Sequence, residues 1–158
     1  MGEVKEFLCM HITCKGKDIH LDQCAYLDKV LEHFSMTNAK QVPTPLPSNW
    51  VPQAAKDKAS PELLKNYQSI IGSLLYLMIG TRPDIAFAVT KLAQFSANPS
   101  QEHFEQAKYI CRYLIGTRKY CLVFKGASGK GLAAYMDSDW ASDPITRRSV
   151  TGYYPVVL

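Results

Sequence analysis

Five of the nine prolines, Pro43, Pro45, Pro47, Pro52 and Pro61, fall between positions 41 and 61. Each ring fixes φ at about −65° and removes a backbone N–H, so neither a helix interior nor a central strand passes easily through them. They divide the 158-residue chain into a short N-terminal part and a longer C-terminal part, joined by an extended surface segment. Trp50 is the large aromatic of that segment and its predicted anchor. With 47% hydrophobic and 20% charged residues the chain has the material for a buried core and does not read as disordered.

Before the prolines, Leu8, Met10 and Ile12 alternate with Cys9, His11 and Thr13, a half-buried strand pattern. Lys15-Gly16-Lys17-Asp18 is a turn signal and Ile19-His20-Leu21 a return strand, which makes a hairpin. Tyr26, Leu27, Val30, Leu31 and Phe34 then recur at helical spacing, with Asp22 as the expected N-cap and an end near Met36-Thr37-Asn38.

After the prolines the spacing predicts three helices. Tyr67 to Ile79 is apolar almost all round, as in a core helix, and Gly72 and Ser73 offer close approach to a neighbour. Pro83 takes the favoured first helical position of the next helix, which turns Ile85, Ala88, Val89, Leu92 and Phe95 inward. Asn98-Pro99-Ser100-Gln101 reads as the next helix start, with Asn98 capping. That third helix buries Phe104, Ala107, Cys111 and Leu114 and is capped by Gly116. Strands follow at Tyr120–Phe124 and Leu132–Met136, around a glycine-rich turn from Gly126 to Gly131. Val150 to Leu158 is a further strand that Pro155 confines to an edge or breaks. The predicted class is α+β: N-terminal hairpin and helix (1–40), proline-rich linker (41–61), three-helix core (62–118) and an incomplete sheet (119–158).

The net charge of +4 permits nucleic-acid contact, but the basic residues form no continuous patch; Arg147-Arg148 is the one Arg pair. Five cysteines at irregular spacing make a poor disulfide framework and suit a reducing compartment. No apolar run reaches the ~18 residues of a membrane span. Cys9, His11, Cys14, His20 and Cys24 are zinc-capable residues, yet their spacing lacks the paired knuckle of a structural zinc site. The chemical candidate is Asp137-Ser138-Asp139-Trp140-Ala141-Ser142-Asp143, where carboxylates follow an apolar strand. Asp137, Asp139 and Asp143 are weak metal candidates, because two cations held about 3.5–4 Å apart require carboxylates drawn from several elements. The alternative is a polar turn closed by Asp143-Pro144.

Four blocks carry a resemblance. They are Tyr67 to Leu77 (YQSIIGSLLYL), Thr81 to Val89 (TRPDIAFAV), Arg112 to Thr117 (RYLIGT), and the acidic stretch with Arg147-Arg148-Ser149 and Thr151-Gly152-Tyr153. Together with the hairpin and Pro43-Thr44-Pro45-Leu46, they closely resemble the Pol polyprotein of Ty1/copia-type retrotransposons over nearly the whole chain. The resemblance implies the end of the reverse transcriptase palm and thumb, connecting helices and the start of RNase H. It makes Asp137 the counterpart of the first RNase H carboxylate, a site that uses Mg²⁺ in that family. The other carboxylates of that site are expected beyond Leu158, and the reverse transcriptase aspartates before Met1. Pro155 and Cys9, the latter at a position usually held by glycine, depart from the family pattern.

As a short free-standing chain it also resembles copia-like secreted RxLR-type effectors of oomycete plant pathogens. The expected function is therefore that of a non-enzymatic, copia-derived protein, secreted and acting inside the host cell to suppress plant defence or cell death. The alternative is an inactive polyprotein fragment, cytoplasmic or nuclear, with no role alone. No cofactor is expected. The expected partner is a host protein, met through the open edge of the last sheet, with weak nucleic-acid binding as a further possibility.

Overall fold

The structure, a computed structural model, describes residues 4–126, 132–138, 149 and 151–157. It mixes helix and strand, consistent with the α+β class, and divides into two compact units, Met1–Phe124 and Lys125–Leu158.

The first unit begins with an antiparallel meander of β1 (Glu6–Phe7), β2 (Met10–Lys15) and β3 (Asp18–Asp22). Gly16, at φ +64°, makes the β2–β3 turn in a region that only glycine enters freely. The β1–β2 turn is built from Leu8 at φ 49° and Cys9 at φ 54°, two side-chain-bearing residues in the left-handed region. Leu8 therefore does not share a strand face with Met10 and Ile12. It stands in the turn, 64% exposed, and its carbonyl accepts a hydrogen bond from the Tyr76 hydroxyl.

Asp22 closes β3 rather than capping the helix: Gln23 is the N-cap of α1 (Cys24–His33), and Asp22 Oδ1 accepts the Cys24 N–H at 3.1 Å. The helix ends before the predicted 36–38, because Ser35 turns to φ 54°. No helix or strand runs from 34 to 60, and Trp50 anchors this stretch. Its Nε1–H donates to Glu102 Oε1 at 2.7 Å, and its ring stands edge-on to His103 with 6.3 Å between centroids.

Helix starts explain where the chain leaves the proline segment. Ser60 caps α2 (Pro61–Gly80) by accepting the Leu63 N–H at 3.2 Å, so Pro61 is the first residue of the helix and not the last of the linker. Tyr67, Ile70, Ile71, Leu74 and Leu77 are buried, but Ile79 is 77% exposed and Tyr76 is on the surface; the helix presents one apolar side. The close approach expected at Gly72 does not occur, since a Cβ there would meet nothing within 4 Å. It occurs at Gly80, where a Cβ would stand 2.4 Å from Gln23 Oε1.

A 3₁₀ turn (Pro83–Ile85) leads into α3 (Ala86–Ala93), and Ile85, Ala88, Val89, Leu92 and Phe95 are buried as their spacing predicts. The N-cap of α4 (Gln101–Gly116) is Ser100, not Asn98. Asn98 braces the linker instead: Oδ1 accepts the Ala59 N–H at 2.8 Å and Nδ2 donates to the Asp57 carbonyl at 3.1 Å. Gly116 ends α4 as its last helical residue, with Thr117 as the C-cap. The chain then returns as β4 (Leu122–Phe124) and pairs antiparallel with β3, Leu122 opposite Leu21 and Phe124 opposite Ile19. The sequence groups this strand with those that follow; it completes the first unit's sheet, in the order β1-β2-β3-β4.

In the second unit β5 (Leu132–Ser138) and β6 (Thr151–Val157) form an antiparallel pair, with Ala134 opposite Pro155. Pro155 does not break β6, as a strand with an outer side tolerates a missing N–H. Of the glycine-rich turn predicted from Gly126 to Gly131, residues 127–131 lie outside the described residues. Among the described residues no helix is long and apolar enough to cross a membrane.

Cys9→Gly is expected to stabilise the chain by about 0.5–1 kcal/mol, the left-handed strain relieved less the entropy that glycine adds to the unfolded chain. Urea denaturation measures it, and Cys9→Ala, which keeps a Cβ at φ 54°, should give no such gain.

Candidate functional site

Of the three predicted carboxylates the structure describes the backbone of one. Asp137 lies in β5, its Cα paired with Gly152. Asp139 and Asp143 lie outside the described residues, as do the Arg147-Arg148 pair and the Asp143-Pro144 turn. The zinc-capable residues near the N-terminus are dispersed. Cys9 and Cys14 are exposed, and His11 Nδ1 is 3.2 Å from Asp22 Oδ2. His20 Nδ1 is 3.5 Å from Cys121 Sγ, and Cys24 Sγ donates to the Arg118 carbonyl at 3.2 Å. Burial, and then the neighbouring Asp22, push the Cys24 thiol up to about 11. Among the described residues no three His, Cys, Asp or Glu are grouped so as to hold a metal ion.

Where the sequence singled out Pro83 as a helix start, the structure places its neighbour Arg82 at a buried polar node. Arg82 is 2% exposed. Its Nε donates to Asp84 Oδ1 at 2.9 Å and Nη2 to Asp84 Oδ2 at 2.7 Å, a two-pronged carboxylate pair. Nη1 donates to the Thr117 carbonyl at 3.2 Å and Nη2 also to Thr117 Oγ1 at 2.5 Å. Tyr113 donates its hydroxyl to Asp84 Oδ2 at 2.9 Å. The guanidinium carbon lies 5.8 Å from the Tyr113 ring centroid and 5.4 Å from that of Tyr120. Burial alone would raise the Asp84 carboxyl. The hydrogen bonds and charge of Arg82, with the Tyr113 hydroxyl, outweigh it and hold the group below its ordinary value of 3.8. Arginine beside Pro-Asp was the available signal, since a guanidinium shut away from water demands a carboxylate.

His103 is a second residue that the sequence did not mark. It is 1% exposed and lies flat on Phe95, with 4.0 Å between centroids and 20° between planes. The Ser100 N–H donates to His103 Nδ1 at 3.0 Å, while Ser100 Oγ accepts the His103 N–H at 3.3 Å, a reciprocal cap. An accepting Nδ1 requires the neutral ring. Burial lowers the imidazole below its ordinary 6.5, against weaker upward pulls from the Gln53 backbone and Glu102. The Ser100–His103 spacing was the signal, hidden because histidine stands where such caps usually carry Glu or Gln.

Chemically, this arrangement positions rather than reacts. Arg82 and Asp84 satisfy one another, and His103 Nδ1 is occupied by the Ser100 N–H. A shallow depression of about 250 Å³ lies over the α4–β4 junction, lined by residues 115–120, and it does not include the ion pair.

The chain is 40% identical over 161 aligned residues to the retrovirus-related Pol polyprotein from transposon TNT 1-94 of Nicotiana tabacum, covering 97% of this chain and 12% of that protein. It is 39% identical over 152 residues to the retrovirus-related Pol polyprotein from transposon RE1 of Arabidopsis thaliana, covering 96% of this chain and 10% of that protein. The chain thus spans about a tenth of the length of these Pol polyproteins. It is also 45% identical over 87 residues to secreted RxLR effector protein 161 of Plasmopara viticola, covering 55% of this chain and 61% of that protein. No family model matches the chain, and no solved structure matches it.

Because Arg82 is buried and Asp84 is partly exposed, removing the carboxylate should cost more than removing the cation. Asp84→Ala is expected to destabilise by about 2–3 kcal/mol and Arg82→Met by less, as read from urea midpoints. For His103 the folded pKa is lowered, so its contribution is complete above about 6.5. It is lost as pH falls below that value, where the unfolded chain takes up a proton that the folded one resists. Stability measured from pH 7.5 down to 5.5 should decline, and His103→Gln should flatten that decline.

Proposed function

We propose that the chain, which is similar over nearly its whole length to retrovirus-related Pol polyproteins of Ty1/copia-type transposons, serves in such a polyprotein as the non-catalytic connection between reverse transcriptase and RNase H. One observation carries this reading. The Thr81–Asp84 and Tyr113–Thr117 segments, parts of the blocks in which the resemblance is read, meet through the Arg82 node in a closed ion pair. A segment whose distinctive residues interlock is suited to holding neighbours in place.

In this reading Met1–Phe124 is the connecting body, and β5 opens the RNase H domain with Asp137 as its first carboxylate. Among the described residues of the second unit Asp137 is the one carboxylate, whereas an Mg²⁺ centre of that kind draws on several. The reading places the protein in the cytoplasm or nucleus.

The match to the Plasmopara viticola effector favours a second reading, a secreted protein that suppresses host cell death through a host partner. It rests on 55% of the chain, against 97% and 96% for the Pol polyproteins, which makes it the weaker of the two.

One pair of assays separates the possibilities. The purified chain with Mg²⁺ and a labelled RNA–DNA hybrid should cut no more than its Asp137→Asn variant; cleavage above that control overturns the non-catalytic reading. Expressed in leaves with a death-inducing elicitor, the chain should leave cell death unchanged, whereas suppression would establish the effector reading in its place.

A further inference from the structure

Gln23 stands between β3 and α1 and is 3% exposed. A buried amide needs partners at both ends. Its oxygen has one, the Thr81 hydroxyl, which donates to Oε1 at 2.9 Å. Its nitrogen, equally shut off from solvent, has no protein acceptor in reach. Exchanging the two ends of the amide does not resolve this: Nε2 would then meet Thr81 and Oε1 would be left without a donor. Gly80 packs close against the amide, so close that a Cβ would stand 2.4 Å from Oε1 and 2.8 Å from Nε2.

Beside this amide is a cavity of about 10 Å³, lined among others by Gln23, Cys24, Thr81, Arg82, Arg118 and Tyr120. A single water needs about that much room and two to four polar partners. An apolar void of this size would stay dry, but this one counts Gln23, whose amide has an unpartnered end, Thr81 and Arg82 among its lining residues. We propose that one structural water is bound here, hydrogen-bonded to the free end of the Gln23 amide and to the polar lining around Thr81 and Arg82.

The place gives this water a role. Gln23 lies at the β3–α1 junction, Thr81 and Arg82 between α2 and the 3₁₀ turn, and Arg118 and Tyr120 between α4 and β4. The chain of the first unit passes between sheet and helices at the first and the last of these junctions. A bridging water, nearly as good as a direct hydrogen bond, joins the polar groups of all three and fixes the sheet on the helical core.

In a high-resolution crystal structure of the chain, a buried water should lie within hydrogen-bond distance of the Gln23 amide. In solution, the Gln23 side-chain NH₂ should give a cross-peak to water with the sign of a long-lived complex. Gln23→Met keeps the volume and removes the amide, so it should abolish the water and lower the unfolding midpoint. Absence of the water in the crystal, absence of the cross-peak, or a Gln23→Met variant as stable as the parent would each overturn the proposal. If that variant fails to fold, the cross-peak in the unmodified chain decides.

Discussion

The rest of the first unit depends on a guanidinium that water cannot reach. Arg82 is fixed in the turn after α2, and its donors run both to Asp84, two residues on, and to Thr117 at the end of α4. An unpaired buried cation would cost far more than the marginal stability of a domain this size can absorb. Thr117 is therefore held against the α2–α3 corner. From that fixed point the chain needs only a few residues to reach β3 with β4. If the end of α4 were released, the fourth strand would have no defined starting position.

This explains the order of elements along the chain. The sheet opens with β1 to β3, is interrupted by all the helices, and closes with β4 nearly a hundred residues later. Loop closure over that span is paid only when the helices have packed. The core that does this comes mainly from α2, α3 and α4, with Leu27, Leu31 and Met36 reaching in from and after α1. The proline segment lies over the outside, tied by Trp50 to Glu102 and by Asn98 to Ala59 and Asp57.

Much of this was legible in the sequence, because hydrophobic spacing reports which face of a helix is buried. Ile85, Ala88, Val89, Leu92 and Phe95 could be read directly. What could not be read was any feature decided by a partner distant in sequence. Asn98 has the composition of an N-cap, yet its amide is claimed by the linker and Ser100 takes the cap. Gly72 has the composition of a helix contact, but the contact falls at Gly80 because Gln23 arrives there from another element. Leu122 to Phe124 reads as a strand without disclosing which sheet it joins. The acidic stretch was the most visible chemical signal, and only Asp137 of its three carboxylates lies in the described residues.

The same contrast bears on how the two kinds of relative are to be weighed. Arg82, Asp84, Tyr113 and Thr117 form one interlocked unit, so a chain that keeps them keeps a way of packing, whatever it is used for. A fold does not fix a function. A likeness to a secreted effector over part of the chain is accounted for by a shared scaffold alone, without a shared task. The likeness to Pol polyproteins extends over nearly the whole chain, both compact units included. Packing within Met1–Phe124 gives no reason for a likeness to continue into Lys125–Leu158. Continuity across both units is what a connection between two domains of one polyprotein would leave in the sequence, and it is the ground on which the polyprotein reading stands above the other.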